Sequence, residues 1–152
     1  MSEQGAGSAY DGVPGLFVEI DRGVATVTID SPPINLFTVD LFLGMARLAD
    51  LLAADPMVRV VVLRSADPDF FIAHFDVAAI LTFPTDQPAP TELNLYHHMC
   101  ETFRTMPKAT IAVIEGRVGG GGSELALSCD MRFAALAHGD RHQTKWNSNA
   151  LR

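Results

Sequence analysis

Residues 108–135 read KATIAVIEGRVGGGGSELALSCDMRFAA, with four consecutive glycines between two segments of strong secondary-structure preference. The apolar, β-branched residues 110–114 predict a buried strand, residues 123–128 predict a helix, and residues 131–134 predict another strand. A strand, a glycine loop and a helix in this order direct backbone N–H groups toward whatever lies at the helix N-terminus. Glycine also lets a ligand approach the backbone closely. The stretch therefore predicts an α/β unit with a possible binding loop.

Three interpretations of the glycine run stay open from the residues alone: a loop that binds an anion or a carbonyl oxygen, a close-packing loop, and a flexible linker. The linker is the weakest, because apolar segments continue directly into both ends of the run. Nucleotide motifs are excluded, since Glu124 stands where the dinucleotide fingerprint needs its third glycine and no Lys-Ser or Lys-Thr pair follows. Glu124 would repel a phosphate, but beside a bound carbonyl it could serve as a base.

The rest of the chain alternates strand-like and helix-like segments, which predicts an α/β architecture. A hairpin is expected first, with Asp21-Arg22-Gly23 as its turn. A helix over 38–54 follows, with Thr38 as N-cap, and then a strand over 58–63 that we expect to be covered on both faces. The remaining expected elements are a loop over 65–69, a short extended start at Phe70, a helix from about Asp76, and a helix over 91–105.

The composition is that of a globular protein: 152 residues, 48% of them apolar, with a net charge of −7. This acidic balance argues against nucleic acid as a partner, because phosphate binding needs a basic surface. No apolar run is long enough for a membrane helix, and no signal peptide is recognisable, so a cytoplasmic location is expected. Residues 1–15 are expected to form a disordered arm, and Cys100 and Cys129 to be buried, reduced thiols.

Other polar residues are weaker candidates for chemistry. His74 lies among aromatic residues, where a single histidine is more often structural than catalytic. His97 and His98 are adjacent on a predicted helix and therefore face different directions, so joint metal binding is not expected. We expect neither a metal site nor a Ser-His-Asp arrangement.

Two stretches and their order resemble the crotonase superfamily, the enoyl-CoA hydratases and isomerases. They are VRVVVLRSADPDFFIAHFDVAAI, residues 58–80, and the glycine-containing stretch quoted above; VATVTIDSPPINLFT, residues 24–38, is similar to the family's N-terminal hairpin and Pro…Asn segment. The resemblance covers residues 16–137. It implies a spiral of ββα units, an acyl-CoA thioester substrate, and no separate cofactor, since coenzyme A is part of the substrate.

The resemblance also implies roles for particular residues. The backbone N–H groups of Phe75 and Gly121 would form an oxyanion hole, and Glu124 would be the catalytic acid/base. The family usually has Ala-Gly-Ala-Asp where this chain has Ala-His-Phe-Asp, so a narrower pocket is expected. The residues expected to line the substrate and coenzyme A side are Pro33, Ile34, Asn35, Ala73, His74, Asp76 and Gly120.

The chain departs from the family pattern after Ala137. The place of the family's second catalytic glutamate falls near Thr144, and the polar tail 138–152 resembles nothing in the family. We therefore expect a C-terminally truncated member: an N-terminal core without the C-terminal helical region, doubtful as the family's trimer or hexamer, and weak or inactive as a hydratase. The alternative is a catalytically impaired remnant that at most binds acyl-CoA.

Overall fold

The computed structural model describes residue 10 and residues 12–82 and 91–135. Within these ranges the elements are β1 (Leu16–Asp21), β2 (Val24–Ile29), α1 (Val39–Ala54), β3 (Val60–Ser65), β4 (Phe70–Ile72), α2 (Val77–Ile80), α3 (Leu95–Thr105), β5 (Ala109–Ile114), β6 (Arg117–Val118), α4 (Gly121–Ser128) and β7 (Met131–Ala134). The α/β class expected from the sequence is confirmed. The tail 138–152 lies outside the described residues.

Five strands form the main sheet in the order β1-β2-β3-β5-β7. Strands β1 and β2 are the predicted antiparallel hairpin, and its turn places Arg22 and Gly23 at φ 47° and 84°. The other pairs are parallel, with Val24 opposite Val60 and Val60 opposite Ala109. Parallel pairing requires crossovers, and the helices between the strands supply them.

One face of this sheet carries the core. Buried and half-buried residues alternate along β2, β3 and β5, and the buried set packs with α1 and α3 residues such as Leu48 and Phe103. The expectation that the strand following α1 is covered on both faces is therefore wrong within the described residues, because Val60 and Val62 remain half-buried. A continuous apolar run cannot distinguish full from one-sided coverage.

A second, two-stranded parallel sheet joins β4 to β6. The sequence did not predict β6, since two residues between glycines give no periodic pattern. The two segments cross closely: a Cβ on Gly116 would lie 2.4 Å from both the Asp69 carbonyl carbon and the Phe70 nitrogen. This small sheet brings the start of the glycine run alongside the end of β4.

Several predicted boundaries shift. Thr38 is the N-cap of α1, as expected, and its side chain accepts a hydrogen bond from the Leu41 N–H. The helix expected over 91–105 begins at Leu95, because the Asn94 side chain caps it. The strand expected over 58–63 runs two residues later and includes Ser65, which had been placed in a loop.

Part of the segment expected to be a disordered N-terminal arm packs into the core. Tyr10 and Val13 belong to the buried core, and the Tyr10 hydroxyl donates a hydrogen bond to the Asp55 carboxylate. The prediction of disorder across residues 1–15 is thus wrong for Tyr10 and Val13. The polar, glycine-rich composition of the segment gave no indication that these two apolar side chains pack into the core. No helix in the described ranges is long and apolar enough to cross a membrane.

Candidate active site

The first half of the candidate site is the extended segment that follows β4. Phe37 and Phe75 form a parallel bridge: the Phe37 N–H donates to the His74 carbonyl at 2.9 Å, and the Asp76 N–H donates to the Phe37 carbonyl at 3.0 Å. Backbone polar groups alternate in direction along an extended chain. The N–H of Phe75 itself is therefore directed away from Phe37 and toward the side where the glycine run passes.

Asn35 holds this segment in place. It is fully buried, with its φ at 48°, and its Oδ1 accepts a hydrogen bond from the Ser31 N–H at 2.6 Å. Its Nδ2 donates to the Ser65 hydroxyl at 2.6 Å and has backbone carbonyl groups within 3.4 Å. These buried acceptors hold the Asn35 amide inward, and the expected place of the 33–35 stretch along the coenzyme A side stays a prediction. The role of the Asn35 side chain is to shape the backbone beside the site.

The glycine run packs tightly against the same segment. The Gly119 N–H donates to the Ile72 carbonyl at 3.1 Å, and a Cβ on Gly119 would lie 2.5 Å from the Ala73 oxygen. A Cβ on Gly122 would lie 2.6 Å from the Ile72 Cβ, and Gly120 has a φ of 47°. The flexible-linker interpretation is excluded by these contacts. Close packing explains why glycines without side chains are required here. It is compatible with a loop whose N–H groups also bind an anion or a carbonyl oxygen.

The second half of the candidate site is the N-terminus of α4. The Gly120 carbonyl accepts hydrogen bonds from the N–H groups of Ser123 at 2.9 Å and Glu124 at 3.2 Å. In a planar trans peptide the following N–H points opposite to the carbonyl. The Gly121 N–H therefore points outward from the start of the helix, where the helix dipole favours negative charge.

The two halves are adjacent. A Cβ built on Gly120 would lie 3.7 Å from the Phe75 nitrogen and 3.6 Å from the His74 Cβ. Residues 75 and 121, which are far apart in the sequence, thus bring their peptide groups to one edge of the small sheet. Such an arrangement can receive an oxygen on which negative charge develops.

Glu124 lies in the first turn of α4, as predicted, and its side chain is exposed. Being three residues after Gly121, it lies on the same side of the helix as that residue. Burial raises the pKa of Tyr96 above its ordinary value, and the neighbouring Cys100 and Glu124 act in the same direction. Burial raises the pKa of Cys100 as well, so both groups stay protonated at neutral pH.

The other predicted ligand residues differ in accessibility. Pro33 and His74 are exposed, while Ile34 and Ala73 are half-buried. The Nδ1 of His74 lies 2.8 Å from the Phe75 carbonyl oxygen, so this ring contacts the backbone of the next residue.

Asp76 is the N-cap of α2, and its Oδ1 accepts from the Ala78 N–H at 2.9 Å. Its carboxylate thus has a structural partner, and its N–H is paired with the Phe37 carbonyl.

Sequence reasoning did not find the aromatic cluster beside the site. Four rings pack with every pair of centroids 5.6–6.4 Å apart; they are Phe37, Phe42, Phe75 and Tyr96. Only Phe75 was a candidate. No local pattern connects the four residues, since Phe75 and Tyr96 come from segments distant from Phe37 and Phe42.

This geometry is accompanied by a family match. A sequence profile described as enoyl-CoA hydratase/isomerase matches residues 19–138. The chain therefore belongs to the enoyl-CoA hydratase/isomerase family, and the resemblance to the crotonase superfamily is confirmed.

Individual relatives agree with this assignment. Mouse mitochondrial methylglutaconyl-CoA hydratase is 30% identical over 118 residues, covering 77% of this chain and 37% of its own length. The structure of DspI from Pseudomonas aeruginosa shares 29% identity with a TM-score of 0.70, covering 85% of this chain and 49% of that one. The structure of an enoyl-CoA hydratase from Mycobacterium avium subsp. paratuberculosis shares 28% identity with a TM-score of 0.66. The match covers 81% of this chain and 48% of that one. The chain thus spans half or less of each relative's length.

Proposed function

We propose that this chain binds an acyl-CoA thioester and catalyses proton transfer next to its carbonyl group. The thioester oxygen would accept hydrogen bonds from the Phe75 and Gly121 N–H groups, and Glu124 would exchange a proton with the acyl chain. The single observation that carries the proposal is the convergence of two peptide groups in front of a helix N-terminus that also bears a carboxylate.

The chemistry follows from where charge develops. Removing a proton beside a thioester moves an electron pair onto the carbonyl oxygen, and fixed N–H donors stabilise that oxygen more in the transition state than in the bound substrate. Glu124 takes the proton as a general base and can return it as the conjugate acid. Pro33, Ile34, Ala73 and Gly120 are proposed to contact the substrate around this centre.

Of the described residues, Glu124 is the carboxylate that we propose as acid/base, and a single carboxylate suits isomerisation better than hydration. Moving a double bond requires a proton to be removed from one carbon and returned to another, which a single carboxylate can do. Hydration also requires a second group to orient and activate water. We therefore expect slow or absent hydration of crotonyl-CoA by the 152-residue chain.

The test measures proton exchange directly. The chain is incubated with a saturated or enoyl acyl-CoA in D₂O, and deuterium incorporation into the acyl group is followed by mass spectrometry. Glu124→Gln should reduce incorporation by about 100-fold or more, the usual contribution of a positioned general base. Glu115→Gln removes another exposed carboxylate, on the residue that follows β5, and should leave the rate unchanged.

The outcomes separate the candidate functions. No exchange together with a raised melting temperature in the presence of acyl-CoA would support a binding protein without turnover. Neither exchange nor a melting shift would refute the proposal. Rapid hydration of crotonyl-CoA would refute the preference for isomerisation.

A further inference from the structure

Tyr96 connects α3 to the start of α4. Its hydroxyl donates a hydrogen bond of 2.7 Å to the Gly121 carbonyl oxygen. A Cβ on Gly121 would lie 2.8 Å from this hydroxyl and 3.2 Å from the Phe37 ring, so the backbone at Gly121 is in direct contact with both. The tyrosine thus touches the residue whose N–H is the proposed oxyanion donor.

Two hydrogen bonds, one at the carbonyl and one at the N–H, restrain the peptide group between Gly121 and Gly122. The Gly121 carbonyl is held by Tyr96, and the N–H of the same peptide, on Gly122, donates to the Gly119 carbonyl at 3.0 Å. The preceding peptide is held through the Gly120 carbonyl by Ser123. Glycine has the widest backbone freedom of any residue, so a run of four needs such restraints to keep one conformation.

The aromatic cluster in turn fixes Tyr96. Its ring lies 6.1 Å from Phe37, 5.6 Å from Phe42 and 6.1 Å from Phe75. Because Phe75 carries the other proposed donor, one set of contacts spans both halves of the site. Burial keeps the Tyr96 hydroxyl protonated through a raised pKa, so it remains a hydrogen-bond donor at neutral and moderately alkaline pH.

We propose that Tyr96 is a positioning residue that sets the direction of the Gly121 N–H relative to Phe75 through its hydrogen bond to the Gly121 carbonyl. The catalytic part of this inference rests on the proposed function. The restraint on the glycine run does not depend on any substrate.

Tyr96→Phe is the informative variant, since it keeps the ring in the cluster and removes only the hydroxyl. Tyr10→Phe is the matched control: it removes the hydroxyl bonded to Asp55, the C-cap of α1, whereas Phe37 beside Gly121 precedes the N-cap of that helix. Amide hydrogen exchange of the ligand-free proteins comes first. Compared with wild type, the Gly122 N–H should exchange about 5- to 10-fold faster in Tyr96→Phe, as expected for loss of one neutral hydrogen bond. Its exchange rate should be unchanged in Tyr10→Phe.

The second readout concerns the substrate. In Tyr96→Phe the rate of deuterium incorporation at saturating acyl-CoA should fall about 5- to 30-fold while KM changes less than about twofold, because the lost alignment matters most in the transition state. The ¹³C resonance of a carbonyl-labelled acyl-CoA should also shift less on binding. If Tyr96 only stabilised the fold, Tyr96→Phe would produce neither the selective fall in rate at constant KM nor the smaller ¹³C shift.

Failures are distinguishable. If Gly122 exchange is the same in Tyr96→Phe and Tyr10→Phe, the positioning role is refuted, whatever the activity. If Gly122 exchange rises but wild-type protein shows neither binding nor exchange of acyl-CoA protons, the restraint stands, and the proposed function and the catalytic part of this inference fall. Equal kinetics and equal ¹³C shifts in both variants, with active wild type, refute the link between the restraint and the oxyanion donor.

Discussion

Replacing Asn35 tests how the two halves of the site are held together. The side chain is fully buried between β2, β3 and the start of β4, where it contacts backbone or side-chain groups of Ile29, Ser65 and Phe71. Its own carbonyl accepts the Ala73 N–H at 3.3 Å. Asn35→Ala removes the amide and should therefore loosen the segment that positions Phe75.

The expected loss of stability follows from the number of hydrogen bonds that the Asn35 amide can make. The amide Nδ2 has two N–H groups but four acceptors at 2.6–3.4 Å, so only two of these contacts can be full hydrogen bonds at once. Together with the bond from Ser31 to Oδ1, three bonds are lost. At about 1 kcal/mol each they contribute about 3 kcal/mol. Alanine at a φ of 48° adds about 1 kcal/mol of backbone strain.

The assay is urea unfolding at fixed temperature, with the free energy taken from the midpoint and slope. Asn35→Ala should lose about 4 kcal/mol and Asn35→Gly somewhat less, because glycine tolerates positive φ. Asn94→Ala, which removes the cap of α3, is the control and should cost about 1 kcal/mol. If Asn35→Ala does not fold, Asn35→Gly gives the measurement. A loss at position 35 no larger than at 94 would refute the reasoning.

Three further changes probe packing and titration. Gly122→Ala places a Cβ 2.6 Å from the Ile72 Cβ and should cost about 1–3 kcal/mol in urea unfolding; an unchanged midpoint would contradict the close packing. Burial raises the pKa of the Cys129 thiol from 9.0 to about 12, so the unfolded state loses this proton first. Stability should therefore be intact below pH 9 and fall toward pH 12 by up to about 1.4 kcal/mol per unit, and Cys129→Ala, followed by pH-dependent unfolding, should flatten the fall. Phe75→Ala opens the ring cluster, should cost about 2 kcal/mol, and should shift acyl-CoA preference toward longer chains in competition binding; an unchanged preference would remove Phe75 from the acyl pocket.

Local sequence patterns predicted much of the fold. Local patterns located α1, β5, α4 and β7 to within two residues, and the hairpin of β1 and β2 was predicted from its turn. Thr38 was correctly assigned as a cap. Where prediction failed, the signal was not local. The start of α3 depends on which polar residue captures a free N–H, and β6 exists only because β4 lies beside it.

The sequence by itself determined the α/β class, the family, and the placement of Glu124 one turn after Gly121, because these depend on residues close together along the chain. Only the tertiary structure decided that Asn35 turns inward and that Tyr96 holds the Gly121 carbonyl, since those contacts join positions 30 and 25 residues apart. The glycine run illustrates both: its composition permits many conformations, and packing against Ile72, Ala73 and Tyr96 selects one.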